Sequence, residues 1–284
     1  MERVPVSARF ERPACLADAL PLLARGEHRV LAGGTDLYPA HVGRAMAQPL
    51  LDITAIEGLR GIRRTADGWS IGAATTWTDL VRADLPPLLD AARQAARDVG
   101  GVQIQNTGTV AGNLCNASPA ADGAPVFMAL DARVVLRSSR GERRLAVTDF
   151  VLGSRRTACA PDELVVAIEV PDSGGPARSC FLKLGGRRYL TISMTMVAVV
   201  VGRDADGAVV RAGVAVGSCA ARARRLPALE ARLLGQRGDA ALDVLVRDSD
   251  LAPLAPIDDL RASVSYRLDA TATLLRRALV ALST

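Results

Sequence analysis

The sequence predicts an α+β protein in two domains, 1–175 and 176–284. Three observations lead there. The chain has 284 residues, more than one compact core usually holds. Between about 57 and 176, short strand-like runs surround one clear helix, whereas three helical stretches close the chain. PDSGGPAR at 171–178 clusters Pro, Ser and Gly between two apolar blocks, as a linker does.

The elements follow in order. Residues 1–55 read as a small unit of their own, with 56–175 as a second subdomain. In the first, ACLADALPLLA (14–24) has helical spacing, while HRVLAG (28–33) and PLLDIT (49–54) read as short apolar strands. GWSIGAATT is a strand leading to a helix start at Thr78 or Asp79. LPPLLDAARQAARDVGG is an Ala-rich amphipathic helix, with prolines in its first turn and glycines past its end. ARVVLRS, the segment around RRLAVTDF, and LVVAIEVP are strands. TMVAVVVGRDADGAVVRAGVAVGS is a hairpin turning at Asp204-Ala205-Asp206-Gly207. LPALEARLLG, DAALDVLVRDS and ASVSYRLDATATLLRRALVAL are helical.

Composition narrows the function. The longest apolar run, near 194–202, is about half a membrane span, and the N-terminus lacks a secretory apolar stretch. A soluble cytoplasmic protein is the expectation. Five separated cysteines with no CxxC pair argue against a disulfide framework or a metal cluster held by this chain. Buried reduced thiols are the simplest reading of them. Two histidines leave little for a metal cage or a Ser-His-Asp apparatus. The net charge of +5 is spread along the chain and only 3% of residues are aromatic, which disfavours nucleic-acid binding. Lys183 is the only lysine among many arginines, either by chance or because a compact ammonium is needed there.

Two glycine-bearing stretches carry the chemistry. In LAGGTDL (31–37), Thr35 or Asp36 can cap a helix starting around Leu37 to Pro39. Glycines before it free the backbone to approach a ligand, and successive N–H groups can converge on a pyrophosphate. A plain tight turn explains the same letters. TVAGNLCNASPAAD (109–122) adds the hydroxyls of Thr109 and Ser118, the amide of Asn113 and the carboxylate of Asp122. It reads as a polar loop or as the wall of a site for a planar ligand with a polyol and a diphosphate. Neither the Rossmann fingerprint after a strand nor a P-loop is present.

Together, AGGTDL, IQNTGTVAGNLCNASPAAD, DELVVAIEVP, FLKLGGRRYLTIS and IDDLRASVSYRL resemble, in order, the flavin-binding subunit of the molybdenum hydroxylases. That group includes xanthine dehydrogenase and aerobic carbon monoxide dehydrogenase. The resemblance implies an FAD domain of the p-cresol methylhydroxylase or vanillyl-alcohol oxidase type, with two α+β subdomains, followed by a smaller C-terminal domain of the carbon monoxide dehydrogenase flavoprotein type. It implies a diphosphate loop of Val30, Leu31, Ala32, Gly33, Gly34, Thr35, Asp36 and Leu37. A second loop would comprise Thr109, Val110, Ala111, Gly112 and Asn113, with Asp122 at the flavin and Leu164 packed near its ring. Lys183 would lie beside the ring, where an ammonium favours reduced, anionic flavin. Ala111, Gln105 and Val99 depart from residues common in relatives.

The implied function is the FAD-binding subunit of a heterotrimeric molybdenum-dependent oxidoreductase. A small [2Fe–2S] partner would pass electrons through FAD to NAD, a quinone or oxygen, and a large molybdopterin partner would oxidise the substrate. Two other readings stay open. A self-contained flavin reductase would need an acid–base set, for which Tyr189 and Ser193 are candidates. The chain could also be a scaffold that has lost its cofactor.

Overall fold

The structure is a computed structural model that describes residues 9–44, 46–188, 190–237 and 241–283. Near the N-terminus, Phe10–Glu11, Leu50–Asp52 and Arg29–Leu31 form a parallel sheet with the Leu50–Asp52 strand in the middle. The helix Leu16–Ala24 packs on it through buried Ala19 and Leu23.

A five-stranded antiparallel sheet follows, ordered Ile62–Thr65, Gly68–Gly72, Leu164–Pro171, Arg133–Ser138, Gly141–Ala146. Its central strand is buried on both faces, so it is apolar almost throughout. A bulge between Val165 and Ala167 shifts the alternation. Leu164 and Val166 therefore pack towards the N-terminal sheet, whereas Val165, Ile168 and Val170 enter the main core.

The third sheet is antiparallel: Ala177–Gly185, Ser193–Arg203, Val209–Gly217 and the short Arg224–Arg225. Along its second strand Met196, Ala198 and Val200 join the main core, while Val197, Val199 and Val201 pack under the C-terminal helices. Two buried faces explain why MVAVVV is unbroken by polar residues. The main core thus runs continuously across residue 175. The expected hairpin turns where predicted, with Gly207 at φ +77 and the Asp204 carboxylate accepting from the N–H groups of Asp206 and Ala208. The helices Pro227–Leu233 and Val264–Leu282 also lie where their periodicity put them.

Several expectations need correction. The helix expected to start at Thr78 or Asp79 spans Trp77–Arg82 and is capped by Thr76 in a reciprocal box with Asp79. The segment around RRLAVTDF is strand only to Ala146 and then makes the helical turn Val147–Phe150. DAALDVLVRDS is not one helix: Leu242–Leu245 and Asp248–Leu251 are separate 3₁₀ turns, and residues 239–240 lie outside the described set. TVAGNLCNASPAAD (109–122), read as a polar loop or the wall of a site, contains the helix Val110–Asn116, and the unassigned residues on either side form the helices Val102–Thr107 and Gly123–Ala129. Among the described residues no helix is long and apolar enough to cross a membrane.

Candidate functional site

The two glycine stretches line one cavity of about 460 Å³, within the size range of small-molecule sites. One wall is residues 29–37; the rest includes Gly108, Thr109, Ala111, Gly112, Asn113, Cys115 and Asn116 and the strand start at Glu163, Leu164 and Val165.

In the first stretch the backbone leaves the strand Arg29–Leu31 and turns at Gly34, whose φ of +67 disfavours a side chain. A Cβ there would also lie 2.4 Å from the Tyr38 ring. Gly33 is needed for a different reason. Its Cβ would sit 1.8 Å from the carbonyl oxygen of Thr107, so a bare backbone lets the two stretches touch. No α-helix follows; turns lead into a single 3₁₀ turn at Pro39–His41, and neither Thr35 nor Asp36 acts as a helix cap. Among the described residues, the N–H groups of Ala32, Gly33, Gly34, Thr35, Asp36 and Leu37 donate to no protein acceptor. Partly buried main-chain donors are ordinarily paired. Six successive unpaired amides in residues that line a cavity offer positive dipoles suited to a diphosphate.

The second stretch is built differently. Thr109 caps the helix Val110–Asn116, its hydroxyl accepting from the Gly112 N–H at 3.1 Å. A Cβ on Gly112 would fall 2.6 Å from that hydroxyl. The Val110 N–H donates to the Thr75 carbonyl, which pins the capping segment to that of the helix Trp77–Arg82. Asn113 accepts from the Gly123 N–H at 3.0 Å, and its side-chain NH₂ has no protein partner among the described residues. The apolar part of the wall comprises Ile53, Ala73, Val99, Ile104, Leu164 and Val165. A planar ring system finds packing there, and hydroxyl-bearing chains find Thr35 and Asn113, so the residues fit FAD.

All the residues expected to bind the cofactor line this cavity except Val110, Asp122 and Lys183. Val110 is fully buried. Lys183 and Asp122 form a buried ion pair at 3.0 Å, and the ammonium also donates to the Asp98 carbonyl at 2.7 Å. Lys183 is therefore neutralised by its own protein. Burial pushes the Asp122 carboxyl up to about 6, against the pull of the Lys183 ammonium, with the nearby Asp98 charge adding to the rise. One oxygen of Asp122, Oδ1, has no hydrogen-bond partner. Gln105 turns inward, donating to the Arg97 and Val99 carbonyls, and so holds Val99 at the cavity wall.

Other lining groups had escaped the sequence reading. Glu163 lies in the strand segment DELVV, but nothing there signals that Arg143 grips it with two bonds of 2.6 Å and holds its carboxyl below the usual range. Cys115 and Cys159 also line the cavity, contrary to the reading of the thiols as buried; only Cys180 and Cys219 are. Cys115 is exposed on the cavity wall yet crowded by protein, and desolvation pushes it up to about 12, with Cys159 at about 11. Both thiols stay protonated. Of the acid–base candidates for a self-contained reductase, Tyr189 lies outside the described residues, and Ser193 is buried in a strand away from the cavity.

Comparison with known proteins gives a consistent answer. Residues 6–173 match the FAD binding domain in molybdopterin dehydrogenase, and residues 181–282 match the CO dehydrogenase flavoprotein C-terminal domain. The chain is 30% identical to the carbon monoxide dehydrogenase medium chain of Hydrogenophaga pseudoflava, over 97% of both proteins. It is 32% identical to the putative xanthine dehydrogenase FAD-binding subunit of Escherichia coli K12, over 95% of this chain and 94% of that one. Among solved structures, a chain of reconstituted CO dehydrogenase from Oligotropha carboxidovorans superposes with a TM-score of 0.87 at 30% identity, covering 99% of each. The chain belongs to the FAD-binding subunits of the molybdenum hydroxylases, flavoproteins of the carbon monoxide and xanthine dehydrogenase type.

Proposed function

We propose that this chain is the medium subunit of a heterotrimer, where it holds FAD between a small [2Fe–2S] partner and an external acceptor. A large molybdopterin partner would oxidise the substrate, and electrons would leave the complex to NAD, a quinone or oxygen. Bound FAD supplies the redox chemistry; the protein's part is to hold, orient and shield it.

The six unpaired amides of Ala32 to Leu37 carry this reading. They offer a dianionic diphosphate fixed dipoles without any bound cation. Thr35 and Asn113 stand ready for hydroxyl and carbonyl groups, and Leu164, Val165 and Val99 exclude water from one side of a ring. The Lys183–Asp122 pair supports this wall from behind, through the Asp98 carbonyl next to Val99. Two partner subunits are in keeping with relatives named as medium subunits, such as the nicotine 6-hydroxylase medium subunit of Paenarthrobacter nicotinovorans.

The test is a flavin titration of the purified full chain. Uptake of one FAD with flavin absorbance bands is expected, and Gly34→Val should abolish it by occupying the turn. A wild-type chain that stays colourless with excess FAD would overturn the cofactor assignment. Purification from the native source, with the co-eluting chains identified, tests the heterotrimer: a chain that elutes alone would remove the partner assignment.

A further inference from the structure

At one edge of the cavity, three residues distant in sequence form a closed triangle. The Asp36 carboxylate accepts from Arg155 Nη1 at 2.9 Å and from Asn116 Nδ2 at 3.1 Å, one bond to each oxygen. Arg155 Nη1 also donates to Asn116 Oδ1. Asp36 and Asn116 line the cavity, whereas Arg155 stands outside the lining. The triangle thus joins the first glycine turn to the end of the helix Val110–Asn116.

Two further features set Arg155 apart. Its φ is +57, a conformation that a non-glycine residue adopts at a cost. Its main-chain N–H donates to the carbonyl of Ala117, itself at φ +47, so two strained residues hold one another in place. Arg155 and Asp36 are each about half exposed, at 55% and 48% of their side chains. An exposed ion pair adds little to stability. Fold stability alone is a weak reason to keep strain at two positions.

Charge at the site supplies a better reason. The Asp36 N–H is among the unpaired amides of the cradle, yet its carboxylate puts a negative charge on the same turn. A diphosphate entering that turn meets like charge unless the carboxylate is compensated. We propose that Arg155 is a positioning residue for the cofactor: together with Asn116, it holds and neutralises Asp36 so that the turn accepts a diphosphate. The inference rests on FAD occupying this cavity and adds a residue outside its wall.

The test is a set of dissociation constants for FAD and for riboflavin, which has no phosphate, measured by flavin fluorescence on full-length variants. Arg155→Gln should weaken FAD about tenfold or more while leaving riboflavin within about threefold of wild type, because only the phosphates meet the bare carboxylate. The double variant Asp36→Asn/Arg155→Gln should return FAD affinity to within about threefold of wild type, since the charge to be compensated is gone. The proposal is overturned if Arg155→Gln binds FAD like wild type, if it weakens riboflavin as much as FAD, or if the double variant is as weak as the single one. A wild-type chain that binds no FAD removes the cofactor reading itself, and this inference with it.

Discussion

The two glycine stretches look alike as letters and act differently in three dimensions. LAGGTDL is an open turn whose amides have no internal partner among the described residues, so its main chain is left free to meet a ligand. TVAGN is a capped helix start whose N–H groups are largely used, by Thr75, by the Thr109 hydroxyl and within the helix. It contributes rigidity and the side chain of Asn113. Glycine enrichment therefore marks close approach, and only the hydrogen-bond accounting says whether the approach is to a ligand or to the protein itself.

The contrast can be broken experimentally, and the largest effect is expected at Gly33. Gly33→Ala drives a methyl group into the Thr107 carbonyl, a backbone atom that cannot step aside. It should cost about 3 kcal/mol and lower the melting temperature by several degrees, with FAD uptake lost. Unchanged melting and uptake would mean that the two stretches do not touch.

Next comes the pair behind the wall. Lys183→Met leaves Asp122 buried without its cation, which should cost about 3 kcal/mol at pH 8. The loss should shrink towards pH 5, where a neutral Asp122 needs no partner. The sign for the wild-type protein is set by the same group. The folded-state value of about 6 exceeds the ordinary 3.8, so ionising Asp122 costs stability above pH 6 and the cost fades as pH falls towards 4. Melting scans of Asp122→Asn and wild type across that window check it; an identical pH profile would show that Asp122 does not titrate there.

Smaller effects separate wall from scaffold. Asn113→Ala removes the acceptor of the Gly123 N–H and a free amide donor; it should cost about 1 kcal/mol of stability and weaken FAD about tenfold. Thr109→Ala removes only a cap, worth about 1 kcal/mol, and should leave FAD affinity nearly unchanged. If Thr109→Ala abolished flavin binding as Gly34→Val should, the second stretch would be a cradle too, and the distinction would fail.

Much of the frame was legible because it obeys simple periods. The helices Leu16–Ala24, Asp90–Asp98 and Val264–Leu282 bury one stripe each, and the hairpin at Asp204 carries its own turn chemistry. The helix Gly123–Ala129 was illegible for the opposite reason: every residue is buried, so no polar face marks a 3.6-residue repeat. Phe10–Glu11 and Ile62–Thr65 are too short, and too exposed on their own, to announce themselves as strands. The caps at Thr76 and Thr109 did leave a readable signal, a hydroxyl three residues before the amide it accepts.

By itself, the sequence determined that the chain is α+β and, through five ordered motifs, which family it belongs to, and it marked the glycine stretches around 33–34 and 112 that line one cavity. Those properties depend on neighbours along the chain. Only the tertiary structure decided that Lys183 spends its charge on Asp122, that Arg143 grips Glu163 and that Arg155 reaches Asp36, pairs separated by 61, 20 and 119 residues. Electrostatic partnership depends on distance through space and on burial, and neither quantity is written in local spacing.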